Sequence, residues 1–227
     1  MRQIVLDTET TGLSPQGGDR LVEIGCLEIV NQVATGKTFH KYINPERDVP
    51  IEAFNVHGLS AERLSTEPKF AEIVDEFLEF VQGDPLIIHN ASFDMGFLNH
   101  ELKKAGKPLI EAARAVDTLL IARKRFPGAQ NSLDALCRRF GIDNSNRIKH
   151  GALLDAELLA DVYLELMGGR QPGLVLDANL DRKKTDVVES VRRTPRTVPL
   201  PSRLTQDELE AHSVFVTTLA EGGLWTK

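Results

Sequence analysis

Two closely spaced carboxylates are the first residues in the chain that could do chemistry. Asp7 and Glu9 lie in Asp7-Thr8-Glu9-Thr10-Thr11-Gly12, directly after the apolar, β-branched run Ile4-Val5-Leu6. Such a run reads as a buried strand, and residues two apart in a strand share a face. The two carboxylates therefore project together, roughly 7 Å apart at the backbone. Like charges that close repel, and a hard divalent cation between them relieves the repulsion. The plainer alternative is a solvated strand end that happens to carry two acids.

Further acids occur at comparable positions. Leu86-Ile87-Ile88 reads as a short buried strand that runs straight into His89-Asn90-Ala91-Ser92-Phe93-Asp94. With Asn90 or Ser92 as helix cap, Asp94 falls in the first helical turn at a strand's carboxyl end, where α/β folds gather ligand-binding groups. His150 and Asp155 in a single helix would stand about 140° apart and could not share a face. Gly151 between them resolves this by starting the helix, with Asp155 on it and His150 in the preceding loop. Taken alone, Asp155 is an acid favoured by the helix dipole and His150 a loop residue. Taken together, four carboxylates and a histidine describe a site. Oxygen ligands without cysteine select Mg²⁺ or Mn²⁺, and two such ions ~4 Å apart can clamp both oxygens of a phosphodiester displacement. Histidine is the side chain suited to taking a proton from water near neutral pH.

The elements that must position these groups follow from periodicity. Leu21 to Val30 and Thr38 to Ile43 read as two more strands with a turn near Asn31-Gln32, so the chain opens as an antiparallel meander. Short helical pieces follow around Ile51–Val56 and Ser60–Leu64, with His57-Gly58 between them. Phe70, Ile73, Val74, Phe77, Leu78 and Val81 then form one face of a helix stopped by Gly83-Asp84-Pro85. The helix of Asp94 runs to about Ala105. Val116-Asp117-Thr118 opens another, Asn131-Ser132 caps a third that ends at Gly141, and the last helix of the body ends at Gly168-Gly169. Strands first, then helices with short strands between them, predict an α/β mixed sheet with flanking helices.

The chain has 227 residues, enough for one sizeable domain and an appendage. Its net charge of -6 is uneven: residues 168–227 hold nine basic and eight acidic side chains, while residues 1–167 hold 18 and 25, a net of -7. Such a body does not coat duplex DNA by neutralising phosphates, although metal ions could supply positive charge locally for a strand end. Cys26 and Cys137 are far apart and without metal-ligand spacing, as expected of reduced residues in a cytosolic protein. No signal peptide and no membrane span is expected.

DTETTGL, HNASFD and the final His-x-x-x-x-Asp resemble the motifs of the DEDD superfamily of exonucleases, in its histidine branch, with matching order and spacing over about residues 1–167. Within it the chain is most similar to the proofreading subunits of bacterial replicative DNA polymerases, as Ile51-Glu52-Ala53-Phe54-Asn55-Val56-His57-Gly58-Leu59 also suggests. The resemblance implies a ribonuclease H-like fold and 3′→5′ removal of nucleotides with two divalent cations, Mg²⁺ or Mn²⁺. It implies that Asp7, Glu9 and Asp155 ligate the ions, that Asp94 supports the second, and that His150 deprotonates the attacking water. Glu52 and His57 would contact the terminal nucleotide, and Thr10, Thr11 and Gly12 would offer backbone N–H groups to the 3′ end. Residues 1–169 would be the exonuclease domain. His89 is read as structural, and Asp117 as the residue that starts its helix.

From Arg170 the pattern changes. Residues 170–203 are read as a linker, rich in charge and proline and without apolar periodicity over most of their length. At its start, Gln171-Pro172-Gly173-Leu174-Val175-Leu176 is similar to the Gln-x-x-Leu-x-Leu peptides that bind bacterial sliding clamps, with Gln171, Leu174 and Leu176 as anchors; the alternative is a helix-terminating segment with a few buried leucines. Thr205-Gln206-Asp207-Glu208 matches a capping box, and a helix with Leu209, Val216 and Leu219 apolar should follow. By resemblance of position, residues 204–227, with Trp225, would hold the polymerase's catalytic (alpha) subunit. Two other functions remain open from sequence: a related exoribonuclease, and a non-catalytic adaptor between polymerase and clamp.

Overall fold

The computed structural model describes residues 1–147, 149–169 and 204–218. Strands β1 (Arg2–Thr10), β2 (Leu21–Val30) and β3 (Val33–Tyr42) form the expected meander, and β4 (Leu86–Ile88) and β5 (Ala115–Asp117) add to β1 in parallel. The sheet order is β3-β2-β1-β4-β5, a mixed five-stranded sheet with β1 at its centre. Asn31 and Gln32 turn the first hairpin with φ of 50° and 68°, the paired positive values that tight two-residue hairpins require.

Two strands differ from expectation. β3 begins at Val33 rather than Thr38, because its first six residues are exposed and carry no apolar alternation to betray them. β5 has three residues and is overlain in sequence by the signal of the helix that Asp117 opens.

The helices are α1 (Ile51–His57), α2 (Ala61–Leu64), α3 (Phe70–Val81), α4 (Ala91–Lys104), α5 (Thr118–Arg125), α6 (Leu133–Phe140) and α7 (Ala152–Leu166). Alternation along β1 divides the core. Ile4 and Leu6 face one side and pack with Phe70, Phe77, Phe97 and Leu98 of α3 and α4. Val5 faces the other and packs with Leu136, Ala156 and Leu159 of α6 and α7. Each such large, fully buried side chain contributes about 1.5–3 kcal/mol. The opposite-facing residues of β1 are thereby fixed against helices on both sides, and the polar residues that continue the strand inherit that alternation.

Ser132 caps α6 by accepting from Ala135 N, and Gly141 ends it in the left-handed conformation. The cap of α4 differs from expectation. Asn90 takes the cap position at φ 67° but its side chain does not cap. The carboxylate of Asp117 accepts from the Asn90 and Ala91 N–H groups instead, each at 3.2 Å. It also accepts from Leu119 N at 2.9 Å, so one side chain starts two helices.

Helix α8 (Gln206–Thr218) belongs to a separate unit. Its capping box is formed: Glu208 accepts from Thr205 N at 2.8 Å, and Thr205 Oγ1 accepts from Glu208 N at 3.3 Å. Among the described residues no helix is long and apolar enough to cross a membrane. The linker, Gln171, Leu174, Leu176, Leu219 and Trp225 lie outside the described residues.

Candidate active site

At the carboxyl ends of β1 and β4 the chain forms a cavity of about 770 Å³ whose walls include Asp7, Glu9, Asp94, His150 and Asp155. Asp7 and Glu9 share the β1 face that looks toward α7, as the period of two requires. Thr8 looks the other way, toward α4, where its hydroxyl donates to Asp94 Oδ1 at 2.7 Å. Asp94 is thus fixed from one side of the sheet and Asp155 from the other.

The approach of α7 depends on Gly25. This residue of β2 pairs with Asp7, and a Cβ there would lie 2.2 Å from Leu153 N and 2.4 Å from the Ala152 carbonyl oxygen. Only glycine lets the first turn of α7 rest on the sheet, and that turn carries Asp155. Gly151 caps α7, as expected, and leaves His150 in the preceding loop. His150 Nδ1 lies 3.3 Å from Asp155 Oδ2. Glu9, His150 and Asp155 each bring a donor atom within 4.8 Å of the others.

The electrostatics are those of a concentrated negative charge. Burial pushes the Asp7 carboxyl well above its ordinary range, and the charges of Asp94, Glu9 and Asp155 push it further. Burial, with Asp155 and Glu23 adding repulsion, raises Glu9 to about 8. Burial raises Asp94 to about 7 against the opposing hydrogen bond from Thr8. Burial would also lift Asp155, but the His150 ring beside it and the Arg147 guanidinium outweigh it and hold that carboxyl below its usual value.

No sequence pattern marks Arg147. Its guanidinium donates from Nε to Asp155 Oδ1, from Nη2 to Asp155 Oδ2 at 2.6 Å, and from Nη1 to Asp134 Oδ1 at 2.8 Å. None marks Asp134 either. The only sequence signal for the pair was an arginine three residues before the histidine and an acid in the first turn of α6.

The remaining expected contacts are more dispersed. His57 is the last, buried residue of α1 rather than a residue between helices; its Nδ1 accepts from Leu59 N at 3.0 Å and its Nε2 is buried without a partner. Burial lowers its pKa. Glu52 is exposed in the first turn of α1. Neither lines the cavity, but α1 touches the His150 loop through His150 N to Val56 O at 3.1 Å. Thr10 Oγ1 donates to the Gly12 carbonyl at 2.6 Å. The Thr11 N–H already donates to the Arg20 carbonyl at 2.9 Å, so, unlike the expectation, it is not open to a strand end. His89 lines the cavity, yet its Nδ1 lies 2.9 Å from Thr118 Oγ1, whose own proton goes to the Ile88 carbonyl. It is held structurally, as expected.

Comparison with known proteins identifies the family. The exonuclease family profile covers residues 4–163. DNA polymerase III subunit epsilon of Rickettsia felis is 49% identical over 223 residues, spanning 96% of this chain and 97% of that one. The chain belongs to the DNA polymerase III epsilon-subunit family of exonucleases. The Escherichia coli epsilon subunit is 50% identical over 176 residues, 74% of this chain and 72% of that one. In fold the body resembles the nuclease domain of 3′hExo, a DEDDh family member bound to rAMP, with a TM-score of 0.64 at 15% identity over 73% of this chain and 91% of that one. It also resembles Exonuclease X in complex with 5′ overhanging duplex DNA, with a TM-score of 0.59 at 20% identity over 73% and 91%. Membership in the epsilon family makes the chain a nucleolytic hydrolase with a ribonuclease H-like fold, as the motifs implied, rather than a non-catalytic adaptor.

Proposed function

We propose that this exonuclease removes mononucleotides from DNA 3′ ends during replication, with Asp7, Glu9, Asp94 and Asp155 holding two divalent cations, Mg²⁺ or Mn²⁺, and His150 as general base. The observation that carries this reading is the meeting of Asp7, Glu9, Asp94, Asp155 and His150 at a single cavity. Burial and mutual repulsion keep Asp7, Glu9 and Asp94 reluctant to ionise, and hard cations answer that repulsion. The donors are oxygens and one imidazole, the set that suits such ions. When bound, the ions supply positive charge to the phosphoryl oxygens and to the attacking and leaving groups.

The chain's own residues supply the rest. Asp7 and Glu9, fixed by the strand, would hold the cations in a set position relative to Asp155 on α7. Thr8 keeps Asp94 turned to the cavity through its 2.7 Å hydrogen bond. His150, with 46% of its side chain exposed at the cavity's edge, takes the proton of the attacking water at Nε2, while Nδ1 faces Asp155. Glu52, His57, Thr10 and Gly12 act on the terminal nucleotide. A mispaired 3′ end frays at lower cost than a paired one, so it enters more often and no base readout is needed to proofread.

Residues 204–227 bind the alpha catalytic subunit, and Gln171, Leu174 and Leu176 engage the sliding clamp. Tethering then raises the local concentration of nuclease at the primer end, in the bacterial cytoplasm where replication takes place. The capping box of α8 and the resemblance to epsilon subunits along the whole chain support this division into a catalytic body and an attachment segment.

The test is digestion of 3′-labelled DNA and RNA strands of identical sequence, and of a primer with or without one terminal mismatch, in Mg²⁺. Mononucleotide release from DNA, faster at the mismatch, is expected. Equal or greater digestion of RNA would replace the DNA assignment with an exoribonuclease.

A further inference from the structure

We infer that Arg147 is an internal cation that competes with divalent cations for Asp155 and holds His150 out of action, releasing both when those cations bind. This rests on the metal reading above and adds a residue to it.

The geometry is specific. A guanidinium has donors only, and all three nitrogens of Arg147 are engaged. Both oxygens of Asp155 receive its fork, and Asp134 receives Nη1. Nη2 also lies 2.8 Å from His150 Nδ1. Since the arginine can only donate, Nδ1 accepts, and the proton of a neutral imidazole then sits on Nε2. In that tautomer neither ring nitrogen is available: one is hydrogen-bonded to Arg147, the other already protonated. The contact that satisfies Asp155 thus disables the base proposed beside it.

The Arg147 side chain is 7% exposed, and its charge attracts both Asp7 and Glu9. A divalent ion on Asp155 would face this guanidinium at close range, and the two cations exclude each other. Asp134, whose side chain is 47% exposed and accepts from Asn144 Nδ2 at 2.9 Å, offers the guanidinium a place to stay after it leaves. The loop between α6 and α7 keeps a second anchor on α1 through His150 N and through Lys149 Nζ to the Asn55 carbonyl. Arg147 can therefore turn from Asp155 toward Asp134 without detaching His150 from the site. Freed of Nη2, His150 can place its proton on Nδ1 toward Asp155, leaving Nε2 to accept.

The experiment is a Mn²⁺ titration of the full chain by calorimetry, at one pH, for the wild type, Arg147→Gln and Arg147→Lys, with thermal melts in metal-free and Mn²⁺-saturated buffer. Arg147→Gln should bind Mn²⁺ about tenfold more tightly, within the 5–150-fold range typical of coupled sites. It should also melt lower without metal and gain more on saturation. Arg147→Lys, which keeps the charge and loses the fork, should fall between. In parallel, the Arg147 Nε–Hε resonance of the wild type, assigned against Arg147→Lys, should shift on Mg²⁺ addition. Equal or weaker Mn²⁺ binding by Arg147→Gln with wild-type binding intact overturns the inference alone. Absence of Mn²⁺ binding in every form overturns the metal reading along with it. Should Arg147→Gln fail to fold, the wild-type resonance decides, and its indifference to saturating Mg²⁺ refutes the release.

Discussion

Gly25 is remote from the reaction in sequence, yet alanine there should disable the site. The added Cβ would lie 2.2 Å from Leu153 N, 2.3 Å from the Ala152 carbonyl carbon and 2.4 Å from its oxygen. Ordinary contact begins near 3.4 Å, so the start of α7 must withdraw by about 1 Å. All three atoms are backbone, and no rotamer change relieves the overlap. Overpacking of this kind costs about 1–3 kcal/mol, which for a chain of this size lowers the melting temperature by roughly 2–12 °C. Asp155 lies in the displaced turn, and a 1 Å misplacement of a catalytic group costs on the order of 10²-fold in rate. Turnover on a 3′-labelled oligonucleotide and a thermal melt measure the two effects. Gly83→Ala is the control, since a Cβ there meets nothing within 4 Å. Wild-type turnover and melting in Gly25→Ala would show that the close approach of α7 to β2 does not position Asp155.

Three further outcomes follow from the charges at the site. Asp7→Asn should lose roughly 10³-fold or more in turnover, the equivalent of several kcal/mol of charge stabilisation. It should melt higher than wild type without metal, because a buried repulsive carboxylate is gone; a lower metal-free melt, or retained Mg²⁺-dependent digestion, refutes this. His150→Ala should lose about 10²–10⁴-fold in turnover with Mn²⁺ affinity largely kept; loss of Mn²⁺ binding instead would make His150 a ligand rather than a base. Mn²⁺ affinity should rise with pH between about 6 and 8.5. Glu9, raised to about 8, and Asp94, raised to about 7, are protonated in the metal-free fold at the lower end and must ionise to bind. The same raised values mean that metal-free stability from these groups is present at low pH and lost as pH climbs through 7 to 8. A flat affinity over that window contradicts the charge assignment.

The sequence revealed most of what regular structure can position. Asp7 and Glu9 could be placed on one face because a strand has a period of two. The face of α3 could be read from Phe70 to Val81 because a buried helical stripe repeats every three to four residues. Elements that neither period governs were harder to see. The first half of β3 is exposed and has no alternation, and β5 is too short to show any. Local pattern points to Asn90 or Ser92 as the cap of α4, whereas the acceptor is Asp117, 26 residues beyond Ala91. Local pattern cannot supply a partner that only the parallel pairing of β4 with β5 brings near.

Arg147 illustrates the same limit within the site. Asp94 and Asp155 lie in the first turns of the helices that carry them, which local pattern shows, and the family motifs supply their common role. Arg147 sits in the loop between α6 and α7, where no repeat fixes the direction of a side chain. Its place follows instead from the charge around it: Asp155 and Asp134 together offer the guanidinium acceptors on two sides, in a cavity already crowded with carboxylates. A site built to bind cations attracts whatever cation the fold can reach, so a nearby arginine will occupy it unless something holds that arginine elsewhere. On the reading proposed above, the carboxylate cluster that would hold the metal also draws in its own competitor, and the hold of Arg147 on Asp155 would set how much divalent metal the enzyme needs before it cuts.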